Sequence, residues 1–320
     1  MNEAGRAREP FFFALDYELQ EGIFLADPLG AGAETGGIQF SIHGRHTPLV
    51  DNYPLPSLLA ITPETECEYA ERFACVYKAL ERGDSFLTNL TIRTPIELEG
   101  SLEAIYAHSH APYKLLVPDR FVCFSPERFV RISGQTISTN PMKGTIDAAR
   151  PDAAEHLLAD YKEGAEHYTI VDLMRNDLNR IAHKVRVERF KYLSHISTSR
   201  GDILQMSSEV VGDLTESWHD HIGDLILELL PAGSISGAPK AKTSEIIHEA
   251  ESIPRGFYTG ICGYYDGREL DSGVLIRYIE QDGRRQYYYR SGGGVTINSQ
   301  CDEEYRECIQ KVYLPCQSPS

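Results

Sequence analysis

Two segments of the chain, residues 86–95 and 113–137, alternate apolar and polar side chains. A period of two sends alternate side chains to opposite faces of a β-strand, so each segment is expected to bury one face of a sheet. Ser133-Gly134-Gln135 interrupts the second segment with residues that suit a tight turn between neighbouring strands. Strands joined in this way pair antiparallel, and the fold must therefore provide an antiparallel sheet.

Helical patterns separate the strand groups. Thr62 and Pro63 are typical of a helix start, the apolar spacing continues to Leu80, and Gly83 ends the helix. Further helices are predicted in residues 152–182, 220–230, 237–251 and 302–314. Further strands are predicted in residues 11–50, 209–214, 260–265, 272–280, 286–291 and 293–297. Helices inserted between antiparallel strand groups predict an α+β fold, with two antiparallel β-sheets packed as a sandwich and helices on the outside, in one continuous domain over residues 1–320.

Composition excludes several classes of protein. The 320 residues carry 31 Lys and Arg against 47 Asp and Glu, a net charge of −16 that repels the phosphate backbone of nucleic acids. No apolar run approaches the roughly 18 residues of a membrane span, and no apolar segment near the N-terminus suits a signal peptide. The seven cysteines include no CxxC pair, so neither a disulfide framework nor a zinc site is predicted. We therefore expect a cytoplasmic protein that binds neither nucleic acid nor membrane.

Two pairs of glutamates share one spacing. Glu163 and Glu166 lie three residues apart in one predicted helix, and Glu304 and Glu307 lie three residues apart in another. Each pair therefore projects from one helix face. Four carboxylates that converge need a cation, and Mg²⁺ is the hard ion that prefers oxygen ligands. The alternative for either pair alone is a solvated acidic face.

Three further segments suggest an anion site. The run of small residues that contains Ser236 and Gly237 leads through Pro239 to Lys240, so it can aim backbone N–H groups at an anion, although an ordinary helix start has the same pattern. Residues 292–294 are glycines, which allow close approach to the backbone or form a plain bulge. Arg277 is a candidate bidentate partner for a carboxylate, or else a surface arginine of a strand.

Lys143 lies between Pro141 and Gly144 at the end of a predicted strand. In a largely apolar pocket its pKa would be lowered, and the amine would then act as a nucleophile or base, whereas most lysines in turns are simply solvated. Together with the glutamates, these features predict a site for a small polyanion and a magnesium ion.

The chain resembles the chorismate-utilising enzymes, which include anthranilate, isochorismate and aminodeoxychorismate synthases. The resemblance covers residues 62–316, which it implies are the catalytic core, while residues 1–61 would be a shortened N-terminal β-rich part. It rests on GDSFLTNLT (83–91), FSPERF (124–129), PMKGT (141–145), AEHYTIVDLMRNDLNRI (165–181), GSISGAPKAKTSEII (233–247), GFYTGICGYY (256–265) and SGGGVTINSQCDEEYRE (291–307).

The lysine of PMKGT makes the chain most similar to aminodeoxychorismate synthase component I. The resemblance implies that Lys143 attacks carbon 2 of magnesium-bound chorismate and expels the ring hydroxyl, after which ammonia adds at carbon 4. The product, 4-amino-4-deoxychorismate, leads to 4-aminobenzoate and folate. Because no G-x-C-x-G nucleophile motif is present, a glutaminase subunit is implied as the source of ammonia. The alternatives are anthranilate or isochorismate formation, or a non-catalytic chorismate-binding paralogue.

The resemblance also implies roles for individual residues. Glu166 and Glu304 would ligate magnesium directly, with Glu163 and Glu307 ligating directly or through water. Thr145 joins Lys143 in the catalytic motif, and Gln205 would replace the histidine that many members use to handle the leaving hydroxyl. The positions implied to contact substrate are Ser236, Gly237, Lys240, Tyr264, Arg277, Gly292, Gly293 and Gly294, with Tyr264 and Arg277 on the enolpyruvyl carboxylate. Feedback inhibition by tryptophan is not expected.

Overall fold

The computed structural model describes residues 1–48, 52–198, 201–314 and 316. The α-helices in these ranges are α1 (Asn2–Ala7), α2 (Glu66–Glu81), α3 (Leu102–His108), α4 (Ala153–Ala159), α5 (Tyr161–Asn179), α6 (Ile222–Leu229), α7 (Lys240–Ala250) and α8 (Cys301–Gln310), and a 3₁₀ helix spans Glu216–His221. No helix within the described ranges has the length and apolar character to cross a membrane.

The strands are β1 (Phe11–Leu15), β2 (Gly22–Ala26), β3 (Gln39–Ile42), β4 (Arg45–His46), β5 (Ser57–Ile61), β6 (Leu87–Glu99), β7 (Tyr113–Val117), β8 (Phe121–Ser125), β9 (Arg128–Ser133), β10 (Thr136–Thr139), β11 (Met142–Asp147), β12 (His183–Thr198), β13 (Gly201–Asp213), β14 (Gly237–Ala238), β15 (Ile261–Tyr265), β16 (Leu270–Val274), β17 (Tyr278–Gln281) and β18 (Tyr287–Val295).

The strands form two antiparallel sheets, each of nine strands within the described residues. The first has the order β11-β13-β10-β9-β16-β15-β1-β2, with β12 also paired to β13. The second has the order β14-β6-β18-β17-β8-β7-β3-β4, with β5 also paired to β6. Residues 1–61 thus contribute strands to both sheets. The boundary at residue 62 between an N-terminal part and a core stays a prediction.

Strand β1 shows how the sheets and helices pack. Phe11 and Phe13 lie on the outer face of the first sheet, in a core with Ile170 of α5 and Ile222 of α6. Phe12 points the other way and stacks on Phe40 of the second sheet, with ring centroids 4.4 Å apart. Since β-strands alternate their side chains between faces, one run of apolar residues contributes side chains to two hydrophobic cores.

Helices also cover the outer face of the second sheet. Helices α2, α7 and α8 pack there around Tyr69, Ile246, Cys308 and Leu90 of β6, and α3 packs nearby through Ile105. The predicted α+β sandwich with helices on the outside is confirmed.

Several predicted boundaries were wrong for local reasons. The helix predicted from Thr62 begins at Glu66, because Thr65 and Glu68 form a capping box in which each side chain accepts a hydrogen bond from the backbone of the other. The strand predicted at 272–280 is divided between β16 and β17, which belong to different sheets. The division falls at Arg277, whose φ of 56° breaks an extended strand.

Other elements were joined or missed. The strands predicted at 286–291 and 293–297 form the single strand β18, and the helix predicted at 152–182 is divided into α4 and α5 at Asp160. The sixteen-residue strand β12 was not predicted, because its many charged side chains hide any clear alternation. The short α1 was not predicted either.

Candidate active site

Both sheets contribute to one cleft of about 510 Å³. Its floor and walls come from β6, β11, β13 and β18, from helices α5 and α8, and from the loops that precede β9, α7, β15 and β17. The cleft is lined by Asn89, Pro126, Glu127, Met142, Lys143, Gly144, Thr145, Glu163, Glu166, Ile170, Gln205, Ser234, Ile235, Tyr258, Thr259, Ile276, Arg277, Gly292, Gly293, Gly294, Glu304, Glu307, Gln310, Lys311 and Tyr313.

Most of the residues singled out from the sequence meet in this cleft. These are Lys143, Thr145, Gln205, Arg277, Gly292, Gly293, Gly294, Glu163, Glu166, Glu304 and Glu307. They come from distant parts of the chain, so their meeting is a property of the fold. Their individual roles stay predictions.

Lys240, predicted to contact substrate, is not among the residues that line the cleft. Its Nζ lies 2.7 Å from Asp177 Oδ2 and also donates a hydrogen bond to the carbonyl of Leu229 at 2.6 Å. The amine is therefore committed to partners inside the protein. It ties the N-terminus of α7 to the ends of α5 and α6, away from the cleft lining.

The small residues before Lys240 are also structural. Ser236 is buried and its Oγ donates to the carbonyl of Ala232. Gly237 has a φ of 135°, and a Cβ there would lie 1.8 Å from the carbonyl oxygen of Leu87, so glycine is required by the pairing of β14 with β6. From this segment, Ser234 and Ile235 line the cleft instead.

Tyr264 lies in a different place from the one the resemblance implied. It lines a separate pocket of about 260 Å³ with His43, Arg45 and Asp271. The tyrosines that accompany Arg277 in the cleft are Tyr258 and Tyr313. Arg277 Nε donates to the Tyr313 hydroxyl at 3.3 Å, which holds the guanidinium at the cleft wall.

Lys143 forms an ion pair inside the cleft. Its Nζ donates to Glu166 Oε2 at 3.0 Å, and the two side chains are 24% and 12% exposed. Burial disfavours the charged ammonium, but the charge and hydrogen bond of Glu166, together with the charges of Glu307 and Glu163, outweigh it, so the pKa of Lys143 is raised. The lowered pKa expected from the sequence was wrong, because the surroundings are acidic rather than apolar.

The two glutamate pairs line the cleft from two different helices, α5 and α8. Burial, and then the charge of Glu166, raise the pKa of Glu163 above its usual range. On α8, Glu304 is buried, and its Oε2 lies 3.1 Å from the position that a Cβ of Gly293 would occupy. The glycine therefore leaves room for the carboxylates of α8 beside β18. Lys311 pairs with Glu307 at 2.6 Å.

The four glutamate carboxylates of the cleft are chemically suited to bind a hard divalent cation. Carboxylate oxygens are the ligands that Mg²⁺ prefers. Burial, and then the charge of Glu166, make ionisation of Glu163 unfavourable, and a bound cation would favour it. In the described ranges, however, no three His, Cys, Asp or Glu side chains converge closely enough to hold an ion. Glu166 must leave Lys143 before the glutamates can surround a cation, and the ligand set stays a prediction.

Glu127 is a cleft residue that the sequence reasoning missed. Burial raises its pKa, although a hydrogen bond from Ser234 and the charges of Arg277, Lys143 and Lys311 oppose the shift. A carboxyl group that keeps its proton to higher pH is suited to act as a general acid. The motif FSPERF contains this glutamate directly after the proline that follows β8. The motif was used only to identify the resemblance, so no role was predicted for Glu127.

Comparison with known proteins identifies the family. A model described as chorismate binding enzyme matches residues 47–316. A PabA-like protein of Haemophilus influenzae is 48% identical over 314 residues, which cover 98% of this chain and 94% of that protein. Aminodeoxychorismate synthase component 1 of Bacillus subtilis is 33% identical, over 78% of this chain and 55% of that protein. The solved structure of anthranilate synthase component I from Streptococcus pneumoniae matches with a TM-score of 0.68 at 28% identity, over 81% of this chain and 60% of that one.

The cleft therefore belongs to a member of the chorismate-binding enzyme family. The resemblance drawn from the sequence motifs is confirmed by the family match and by the relatives.

Proposed function

We propose that this protein catalyses the magnesium-dependent amination of chorismate by ammonia to 4-amino-4-deoxychorismate, with Lys143 as a covalent nucleophile. The observation that carries the proposal is the position of the Lys143 amine. It forms an ion pair with Glu166 in the cleft, and the charges of Glu163 and Glu307 also raise its pKa. The 33% identity to aminodeoxychorismate synthase component 1 of Bacillus subtilis supports it.

The cleft suits the two carboxylates of chorismate. The guanidinium of Arg277 would bind the enolpyruvyl carboxylate, beside the hydroxyls of Tyr258 and Tyr313. Glu163, Glu166, Glu304 and Glu307 would hold magnesium, which when bound would offset the charge of the ring carboxylate and polarise the leaving hydroxyl.

With the charges of the glutamates offset by magnesium, Lys143 would lose a proton to solvent at alkaline pH and become a neutral amine. The first chemical step then forms a bond between Lys143 Nζ and carbon 2 of the ring. Both ring double bonds shift, and the bond from carbon 4 to its hydroxyl breaks. Glu127 supplies the proton that lets this hydroxyl leave as water. Thr145 and Gln205 line the same part of the cleft on β11 and β13 and would orient the hydroxyl.

The second step reverses the attachment. Ammonia forms a bond to carbon 4, both ring double bonds shift back, and the bond between carbon 2 and Lys143 Nζ breaks. The new amine then loses a proton, which restores Glu127. One chorismate and one ammonia thus give one aminodeoxychorismate and one water. In the cell a glutaminase subunit would supply ammonia in the cytoplasm, and the product would serve the synthesis of 4-aminobenzoate and folate.

The test is a product assay. Purified protein is incubated with chorismate, magnesium chloride and an ammonium salt at alkaline pH, and products are analysed by liquid chromatography and mass spectrometry. We expect the amine that retains its enolpyruvyl group. Anthranilate or isochorismate as the product would assign the chain to a sister reaction, and binding of chorismate without turnover would make it a binding protein.

A second measurement tests the covalent step. With chorismate and magnesium but no ammonium salt, the intact mass of the protein should increase by chorismate minus water. The Lys143→Ala variant should show no such adduct. Full activity of Lys143→Ala with ammonium salts would overturn the covalent role.

A further inference from the structure

Asn89 on β6 presents an unsatisfied side chain to the cleft. Its backbone N–H donates to Ser236 at 2.9 Å, and its carbonyl accepts a hydrogen bond from the buried Arg255 at 2.7 Å. Its side-chain Oδ1, in contrast, is buried and has no hydrogen-bond partner in the described part of the protein. The backbone is thus held firmly while the side-chain oxygen lacks a partner among the described residues.

Strand pairing locates this amide next to Lys143. Asn89 is the direct partner of Gly294 in the pairing of β6 with β18, and side chains of directly paired residues leave a sheet on the same face. The position that a Cβ of Gly294 would occupy lies 3.3 Å from Lys143 Nζ. The Asn89 side chain and the Lys143 amine therefore approach the same space above Gly294.

A buried amide oxygen without a partner in such a place indicates a ligand. A buried polar group without a hydrogen bond costs about 1–3 kcal/mol, so an apolar residue would make a more stable strand at this position. The neighbours Leu87 and Leu90 on β6 are buried apolar residues. The amide is therefore out of place unless it binds something that enters the cleft.

The Asn89 amide oxygen and the cleft carboxylates differ in the form of ammonia that they favour. The surrounding glutamates favour the charged ammonium ion, whose nitrogen has no free lone pair. An amide oxygen is a neutral acceptor, so it can hold an N–H of ammonia without favouring its protonation, and the nitrogen lone pair stays available for attack.

We propose that the Asn89 side chain binds the ammonia that attacks the substrate and orients it beside Lys143. The inference rests on the proposed amination and adds the binding site of its second substrate. Because ammonia would act after the lysine adduct has formed, Asn89 should affect the second step and not the first.

The test compares Asn89→Ala and Asn89→Ser with Asn176→Ala, a matched control on the exposed face of α5. Initial rates are measured at one pH, first with ammonium varied at saturating chorismate and then with chorismate varied at saturating ammonium. Loss of one neutral hydrogen bond should raise the KM for ammonium roughly five- to tenfold in both Asn89 variants. The KM for chorismate, the rate of lysine adduct formation without ammonium, and all parameters of Asn176→Ala should stay unchanged.

The outcomes separate the inference from the proposed function. If wild-type protein forms no amine product, the amination itself fails. If wild-type protein aminates chorismate but the KM for ammonium is unchanged in both Asn89 variants, the ammonia site is wrong. A raised KM for chorismate, or slower adduct formation, would assign the amide to the first substrate and likewise overturn the inference. Thermal unfolding of each variant establishes that only folded protein is compared.

Discussion

Helix α5 pairs a carboxylate with a lysine in each of two regions that look alike in sequence and differ in the structure. Glu166 meets Lys143 in the cleft, with 3.0 Å between nitrogen and oxygen, and Asp177 meets Lys240 behind the cleft at 2.7 Å. Both lysines follow a proline within two residues in a segment with glycine, and both were predicted to lie at the site of a small polyanion. Only the lysine in the cleft faces space that a ligand can enter.

Their electrostatic surroundings separate the two lysines. Burial lowers the pKa of Lys240, and Asp177 offsets this only in part because Arg180 opposes it. Burial likewise raises the pKa of Asp177. Around Lys143 the carboxylates outnumber the nearby cations and the pKa is raised instead. In the cleft, an accessible lysine amine is surrounded by more carboxylates than cations. Behind the cleft, a buried lysine pairs with a single aspartate in a contact that is structural.

Loss of the cleft amine should have the largest effect on turnover. Lys143→Met should reduce amine formation on the order of 10³-fold or more, because removal of a covalent nucleophile leaves only binding and polarisation. Its loss of stability should be smaller than that of the matched variant Lys240→Met, since Glu166 can be hydrated from the cleft. Near-normal turnover of Lys143→Met would remove the distinction between the two regions.

Glu127→Gln should have the next largest effect. An amide cannot supply a proton to the leaving hydroxyl, so turnover should fall about 10²-fold. In wild-type protein the acid form is lost as the pH rises through the raised pKa of Glu127, which gives a falling limb in the pH profile of kcat. That limb should be missing in Glu127→Gln. A falling limb that persists in the variant would assign it to another group.

Lys240→Met should leave turnover per folded molecule unchanged and reduce stability. Asp177 would stay buried without its partner, which costs about 3–5 kcal/mol of unfolding free energy. The double variant Lys240→Met with Asp177→Leu should recover most of this loss in urea unfolding. If Lys240→Met raises the KM for chorismate while the protein stays folded, the lysine contacts substrate after all.

Local spacing explains which parts of the site could be predicted from the sequence. Glu163 and Glu166 share a helix face whatever surrounds the helix, and so do Glu304 and Glu307, so a shared spacing was enough to select them. The alternation of residues 86–95 likewise predicted β6. These features depend on one element at a time.

Placement that depends on strand register could not be predicted. Tyr264 pairs with Phe12 and Asp271, and this register turns its ring towards the core between the sheets and the pocket of Arg45. A pattern of residues cannot show which tyrosine of residues 256–265 reaches Arg277. The same holds for Gly237, whose role is set by the carbonyl of Leu87 on another strand, and for Asn89, whose partner strand gives it a neighbour in Lys143.

The smallest expected effect is on the pH dependence of stability and comes from His219. This residue lies outside the cleft lining, in the 3₁₀ helix just before α6. Its ring stacks on Trp218 with centroids 3.7 Å apart, and its Nδ1 lies 2.6 Å from the Tyr265 hydroxyl. Burial, followed by the charge of Arg8, lowers its pKa from 6.5 to about 4, against a weaker opposing effect of Asp220.

A histidine with a lowered folded-state pKa takes up a proton more readily when the chain unfolds. Its contribution to stability is therefore complete above pH 6.5 and is lost as the pH falls towards about 4. His219→Gln keeps a polar partner for Tyr265 but does not titrate, so its unfolding temperature should fall less than that of wild-type protein between pH 7 and pH 5, with turnover at neutral pH unchanged. Thermal unfolding across this pH range measures the difference. Parallel curves for the two proteins would mean that the pKa of His219 is the same in the folded and unfolded states, and a change in turnover would mean that this region is coupled to the cleft.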